Sequence, residues 1–132
     1  MTVNAVRAAL SVRLATITGL RCHAAFPQRI EPPAAFIGTM RRDPAQSFED
    51  VWTATFDVFV CLSPSELSRQ LNILDGYADS TGALSVEAAL VASPTLAGTA
   101  SSAVVTSVQS PVTIEVGGQP YVAAQFEIEV FS

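Results

Sequence analysis

Lysine is absent from this chain of 132 residues, and charged residues of all kinds make up only 14% of it, against about 25% in typical soluble domains. The seven basic residues are all arginines and all lie between Arg7 and Arg69. From residue 70 onward there are six acids and no base, so that half carries −6, while seven arginines against six acids leave the first half at +1. This excludes the strongly basic footprint of a nucleic-acid binder. A small domain with so little charge either tolerates an apolar surface or has that surface covered by partner chains. The second is favoured, because exposed apolar patches on a monomer invite aggregation. Unlike charge in the two halves suits stacking between unlike faces, although unevenly solvated surface charge accounts for it equally well.

Other scarcities narrow the chemistry. There is one histidine, His23, and there are two cysteines, Cys22 and Cys61. No ligand spacing of a zinc site is present, so no metal and no cofactor is expected. The cysteines sit in strand-like apolar runs without a secretion signal upstream, which reads as buried, reduced thiols in an intracellular protein. The N-terminal stretch is amphipathic, without the continuous apolar core of a signal peptide. No window approaches 18 uncharged apolar residues, so no membrane span is expected.

What is present is pattern, and at this length it is expected to make one domain, residues 1–132. Val3, Val6, Leu10, Leu14 and Ile17 recur at helical spacing and predict a first helix, stopped at Thr18-Gly19 with the glycine left-handed. In "FPQRIEPPAAFIGTM" (26–40), two strand-like runs, 20–26 and 34–40, flank Pro32-Pro33. The doublet withholds backbone donors and fixes φ, so it stiffens the turn and blunts an edge. "MRRDPAQSFED" (40–50) reads as a long polar loop. Residues 51–62 alternate strictly, with Trp52, Ala54, Phe56, Val58, Val60 and Leu62 on one face.

Ser63-Pro64-Ser65-Glu66 combines a cap, an N1 proline and a capping-box glutamate. It opens a helix whose buried stripe is Leu67, Leu71 and Leu74 and which ends at Gly76 or in 79–82. A shorter helix is expected over 83–92. Strands follow at 103–108 and 112–116, then a Gly117-Gly118 hairpin and a strand at 121–131. The order α-β-β-β-α-α-β-β-β predicts an α+β fold, a mainly antiparallel sheet with the N-terminal helix and two further helices packed on one face. The strands at 51–62 and 121–131 are twice the usual length, roughly 36–40 Å each. They outrun two short helices, and a neighbouring subunit is the natural cover for the overhang.

No catalytic set emerges. Cys22 and His23 are adjacent on a strand and point to opposite faces. Glu127 and Glu129, with Glu115 across the hairpin, read first as a solvated strand face, and Asp57 reads the same way. The Gly117-Gly118 pair precedes a strand and is therefore no phosphate loop. Arg41-Arg42 suits phosphate or an acidic partner, though a doublet in a loop is a weak signal.

An N-terminal helix ending in "ATITGLR", then "PPAAFIG", "WTATFDVFVCLS", "LDGYAD…GALSVEAAL" and "EVGGQPYVAAQFEIEVF" follow one another from about Val3 to Val130. In order and spacing this resembles the tail terminator proteins (tail completion or minor tail proteins) of long-tailed double-stranded DNA phages, notably of actinobacterial hosts. The resemblance implies a non-enzymatic virion protein. It would form a ring, usually of six subunits, at the tail–neck junction after assembly in the host cytoplasm. Its partners would be other copies of itself, the tail-tube protein and the head-completion or connector protein. DNA would pass through the lumen without sequence-specific binding, as suits an acidic chain. The resemblance transfers no catalytic motif. The loop argument alone selects Arg41, Arg42, Asp43, Phe48 and Asp50 as an interface or lumen segment projecting from the domain at about 40–50. Rival readings are another neck or tube subunit, a small α+β binding module or enzyme, and a dimeric regulatory protein.

Overall fold

The structure is a computed structural model that describes residues 3–17, 19–23, 33–43, 53–63, 67–82, 84–93, 95–96, 98, 100 and 102–131. Helix α1 spans Val3–Leu14 and buries the stripe expected of it, Val6, Leu10 and Leu14, with Ile17 just beyond. It stops earlier than its pattern suggests. Gly19 takes its left-handed φ of +81° in a following turn, where the Leu20 N–H donates to the Ile17 carbonyl.

Five strands make one sheet in the order β1-β2-β3-β5-β4. They are β1 (Arg21–His23), β2 (Ala34–Asp43), β3 (Thr53–Leu62), β4 (Ser102–Val116) and β5 (Gln119–Phe131). β1 runs parallel to β2, and every other pairing is antiparallel. Helices α2 (Leu67–Ala78) and α3 (Val86–Val91) separate β3 from β4. The expected α+β order holds, and the strands foreseen at 103–108 and 112–116 are two stretches of the single strand β4. Each of its two register shifts, between Val105 and Ser107 and between Gln109 and Val112, inserts one extra residue against β5. Pairing through β5 bridges the polar stretch that locally looked like a break.

The alternation on the long strands predicts their buried faces correctly. Ala54, Phe56, Val58, Val60 and Leu62 of β3 are buried, as are Val122, Ala124, Phe126, Ile128 and Val130 of β5. They form one core with Val6, Leu10 and Leu14 of α1, Leu74 and Tyr77 of α2, and Val86 and Leu90 of α3. All three helices therefore lie on one face of the sheet. Fully burying each large apolar side chain contributes about 1.5–3 kcal/mol. The opposite face has its own small cluster, Ala34, Phe36, Cys61, Val116 and Ala123, with the Phe36 and Phe59 rings stacked at 5.2 Å. This explains why Cys61 is buried while Thr53, Thr55 and Asp57 on the same face are only half-buried.

Local signals set the remaining ends. Pro33 gives the sheet no donor, but its carbonyl accepts from the Arg21 N–H at 3.2 Å, where β1 joins β2. α2 runs through Gly76 to Ala78. α3 is shorter than its pattern because Ser85 caps it: the Oγ accepts from the Ala88 N–H at 3.0 Å and donates to the Asp79 carbonyl at 2.6 Å. Gly117 and Gly118 turn the β4–β5 hairpin with φ of 59° and 81°, the double positive φ of a type I′ turn. The capping residues 64–66 expected before α2 lie outside the described residues.

Candidate interaction surfaces

The loop expected at 40–50 is corrected at its start. Met40, Arg41, Arg42 and Asp43 are the last residues of β2, opposite Phe56, Thr55, Ala54 and Thr53 of β3. Their polarity imitates a loop, but hydrogen bonding to a distant strand makes them sheet. Arg41 and Arg42 are exposed and alternate across it. Arg41 shares a row with Thr55 on the helix-free face, and Arg42 shares one with buried Ala54 on the helix side. Phe48 and Asp50 lie outside the described residues.

Just before this segment β2 bulges between Ile37 and Met40, with one residue more than β3. Arg7 of α1 fills the bulge. Its Nη1 donates to the Ile37 carbonyl at 3.0 Å and to the Gly38 carbonyl at 2.8 Å, and its guanidinium lies 5.6 Å from the centre of the Phe56 ring. Arg13 ties the same helix to α3, with its Nε donating to the Ala89 carbonyl at 2.6 Å. Neither bond was visible in the sequence. The available signal was two arginines flanking an apolar stripe, which more often means a solvated helix flank.

The residues weighed for chemistry do not converge. Cys22 and His23 remain neighbours on β1 with opposed side chains. Burial pushes the Cys22 thiol up to about 11 and the Cys61 thiol up to about 12, so neither is a ready thiolate. Tyr77 is raised too, first by burial and then by nearby Cys22. Glu127 stands directly opposite Asp57, with Glu129 next along the same face. Two like charges opposed across a ladder cost about 0.2–1 kcal/mol, and half-exposure lets water absorb that. Glu115 pairs with Pro120 near the hairpin tip, far along the strand from Glu127. Among the described residues no three of His, Cys, Asp and Glu gather as a metal-holding group. No helix among them is long and apolar enough to cross a membrane.

The surface carries more information. Among the described residues the large hydrophobics left exposed are Val12, Val91, Val104 and Val108. Val91 of α3 and Val104 of β4 line one hollow of about 210 Å³ together with Glu87, Leu90, Ala103 and Val105. Val12 lies in a groove of about 480 Å³ between α1 and the chain after α3, among Ala5, Ala8, Ala9, Thr16 and Leu96. The outer flank of β4 completes this sector. It is the last strand of the sheet, and Glu115 is its one charge in 15 residues.

Comparison with known proteins adds no relative: no family model matches the chain, and no curated protein matches it in sequence.

Proposed function

We propose that this chain is a structural subunit working through its surfaces, of the tail terminator kind that its sequence resembles. In that role copies form a ring on the head-proximal end of a phage tail tube, stop its growth and offer a platform to head-completion proteins. The observation that carries the reading is the β4 edge. Among the described residues β4 is an outer strand of 15 residues with a single charge, and unpaired backbone on such an edge recruits other strands, with its two bulges and Pro111 restricting where. Two exposed valines on that strand and a third beside it on α3 add to the case. The net charge of −5 suits a channel that DNA traverses without being gripped.

The experiment is electron microscopy and native mass measurement of the purified chain, alone and with tail-tube protein. A single ring that ends the tube supports the reading. Open-ended growth makes the chain a tube subunit, and a chain that stays monomeric with and without tube protein overturns the proposal.

A second reading has one observation in its favour. The groove beside α1 is apolar and of the size that takes small ligands. Its charged residue, Arg13, already donates to the Ala89 carbonyl, which leaves little to fix a ligand's orientation. An environment-sensitive apolar dye that brightens on wild type but not on Ala8→Trp would favour this reading.

A further inference from the structure

Two apolar patches border the short helix α3, one on each flank, and they carry opposite charge. On one flank lies the groove of about 480 Å³, where Ala8, Ala9 and Val12 of α1 meet Leu96, with Arg13 as its one charged residue. On the other lies the hollow of about 210 Å³, where Leu90 and Val91 of α3 meet Val104 of β4, with Glu87 as its one charged residue. Val12 and Val91 are each 71% exposed, more than any other large hydrophobic among the described residues. Arg13 gives its Nε to the Ala89 carbonyl at 2.6 Å. That carbonyl lies midway between Glu87 and Val91 in the chain, so the two patches are close neighbours. Among the described residues neither Arg13 nor Glu87 is held in an ion pair.

Size and charge decide what covers them. α3 is one helix wide, about 10 Å, whereas a chain of 132 residues has a radius of gyration of roughly 14 Å. Two separate neighbours, one on each patch, would overlap, so one body has to cover both. That body needs an acid beside an exposed apolar side chain for the groove, and a base beside another for the hollow. A second copy of this chain brings both sets. Glu87 and Val91 stand one turn apart on α3, and Ala9 and Arg13 are spaced the same way on α1. A valine seated over Ala9 therefore brings a glutamate to Arg13. A two-fold axis beside α3 makes this contact twice, because in such a pair residue i meets j and j meets i. Setting like patches together would instead oppose two arginines or two glutamates, which is unfavourable.

We infer that copies of this chain pair two-fold through α1 and α3, with Val91 of each in the Val12 groove of the other and Glu87 of each at Arg13 of the other. The pair goes beyond the ring reading and does not rest on it. A ring is built from heterologous contacts, and this contact is complete at two.

The test is sedimentation equilibrium of the whole chain over a concentration series, with circular dichroism checking the fold of each variant. Wild type should show a dimer. Glu87→Arg should weaken it at least about tenfold, because arginine then meets arginine at both contacts. Adding Arg13→Glu to the same chain should restore the dimer, since every contact again pairs unlike charges. Arg13 also ties α1 to α3, so a second measurement leaves it in place and decides the matter if the double variant does not fold. Val12→Cys mixed with Val91→Cys under mild oxidation should give a disulfide between the two variants, identified by peptide mass, and Glu87→Arg in both chains should suppress it. A wild type that is monomeric throughout the series overturns the proposal. So does an unchanged dimer in Glu87→Arg, a natively folded double variant that fails to recover, or absence of that cross-link.

Discussion

The outer flank of β2 and the outer flank of β4 solve the same problem in opposite ways. Among the described residues neither is covered by a strand along its whole length, and unpaired backbone invites another strand. The β2 flank is guarded. Arg7 from α1 binds two carbonyls at its bulge, β1 covers one end, and exposed Arg41 and Arg42 lie toward the other. The β4 flank has two bulges, one charge and two exposed valines. The difference lies in the means: charge and the Arg7 guanidinium shield one edge, while bulges and Pro111 blunt the other and leave it almost without charge. Two experiments attack the guarded edge, one compares the thiols of the β1 edge and the sheet centre, and one probes the open edge.

The largest effect is expected from Leu10→Ala. Leu10 is fully buried between α1 and the sheet, and such truncations cost about 2–5 kcal/mol. Because α1 carries Arg7, the damage should be uneven. Native-state hydrogen exchange should quicken at the amides of β2 more than at those of β4. Equal quickening would mean that α1 does not specifically protect the β2 edge.

Arg7→Met keeps an apolar stem and removes the guanidinium. A hydrogen bond from a charged donor is worth about 1.5–3 kcal/mol, so denaturant unfolding should show a loss in that range. A loss below about 0.5 kcal/mol would mean that water replaces Arg7 at the bulge and that the β2 edge is guarded by Arg41 to Asp43 alone.

The thiols give a smaller effect, confined to alkali. Burial raises Cys22 to about 11 and Cys61 to about 12 from an ordinary value of 9.0. The folded state therefore holds protons that the unfolded chain releases. The stability this contributes is fully present below pH 9 and is lost as pH rises through 11 and 12. Each thiol adds a slope of up to about 1.4 kcal/mol per pH unit in that window, and Tyr77 shifts in the same sense. Cys22→Ala should remove its share first, near pH 9–11. Thiol reagents should reach half-buried Cys22 at the β1 edge before Cys61 in the sheet centre. The reverse order would break the distinction between edge and interior.

These edges also mark where sequence reasoning worked. The stripe of α1, the alternation of β3 and β5 and the glycine pair of the hairpin were legible because each is a local pattern with a fixed period. Met40 to Asp43 was misread because an edge strand exposed to water carries no apolar alternation, and its pairing with Thr53 to Phe56 spans ten or more residues of chain. β4 looked like two strands because Gln109-Ser110-Pro111 reads as a break, whereas the whole β5 ladder carries the strand across it. The role of Arg7 is not legible locally because its acceptors, the Ile37 and Gly38 carbonyls, lie 30 and 31 positions away. The Arg41-Arg42 doublet was noticed in the sequence, but only the ladder rows give it definite neighbours. Val12 and Val91 escaped because each lies off its helix's buried stripe.

The smallest effect on stability, and the sharpest on the comparison, belongs to Val104. It is 44% exposed on the bare edge, so Val104→Lys and Val104→Glu should each leave folding stability within about 0.5 kcal/mol of wild type. Both should weaken any association through this edge, because a charge set against a second strand loses water there. Sedimentation over a concentration series, with wild type alongside, checks this. If neither substitution changes association, the two edges differ in composition without differing in use.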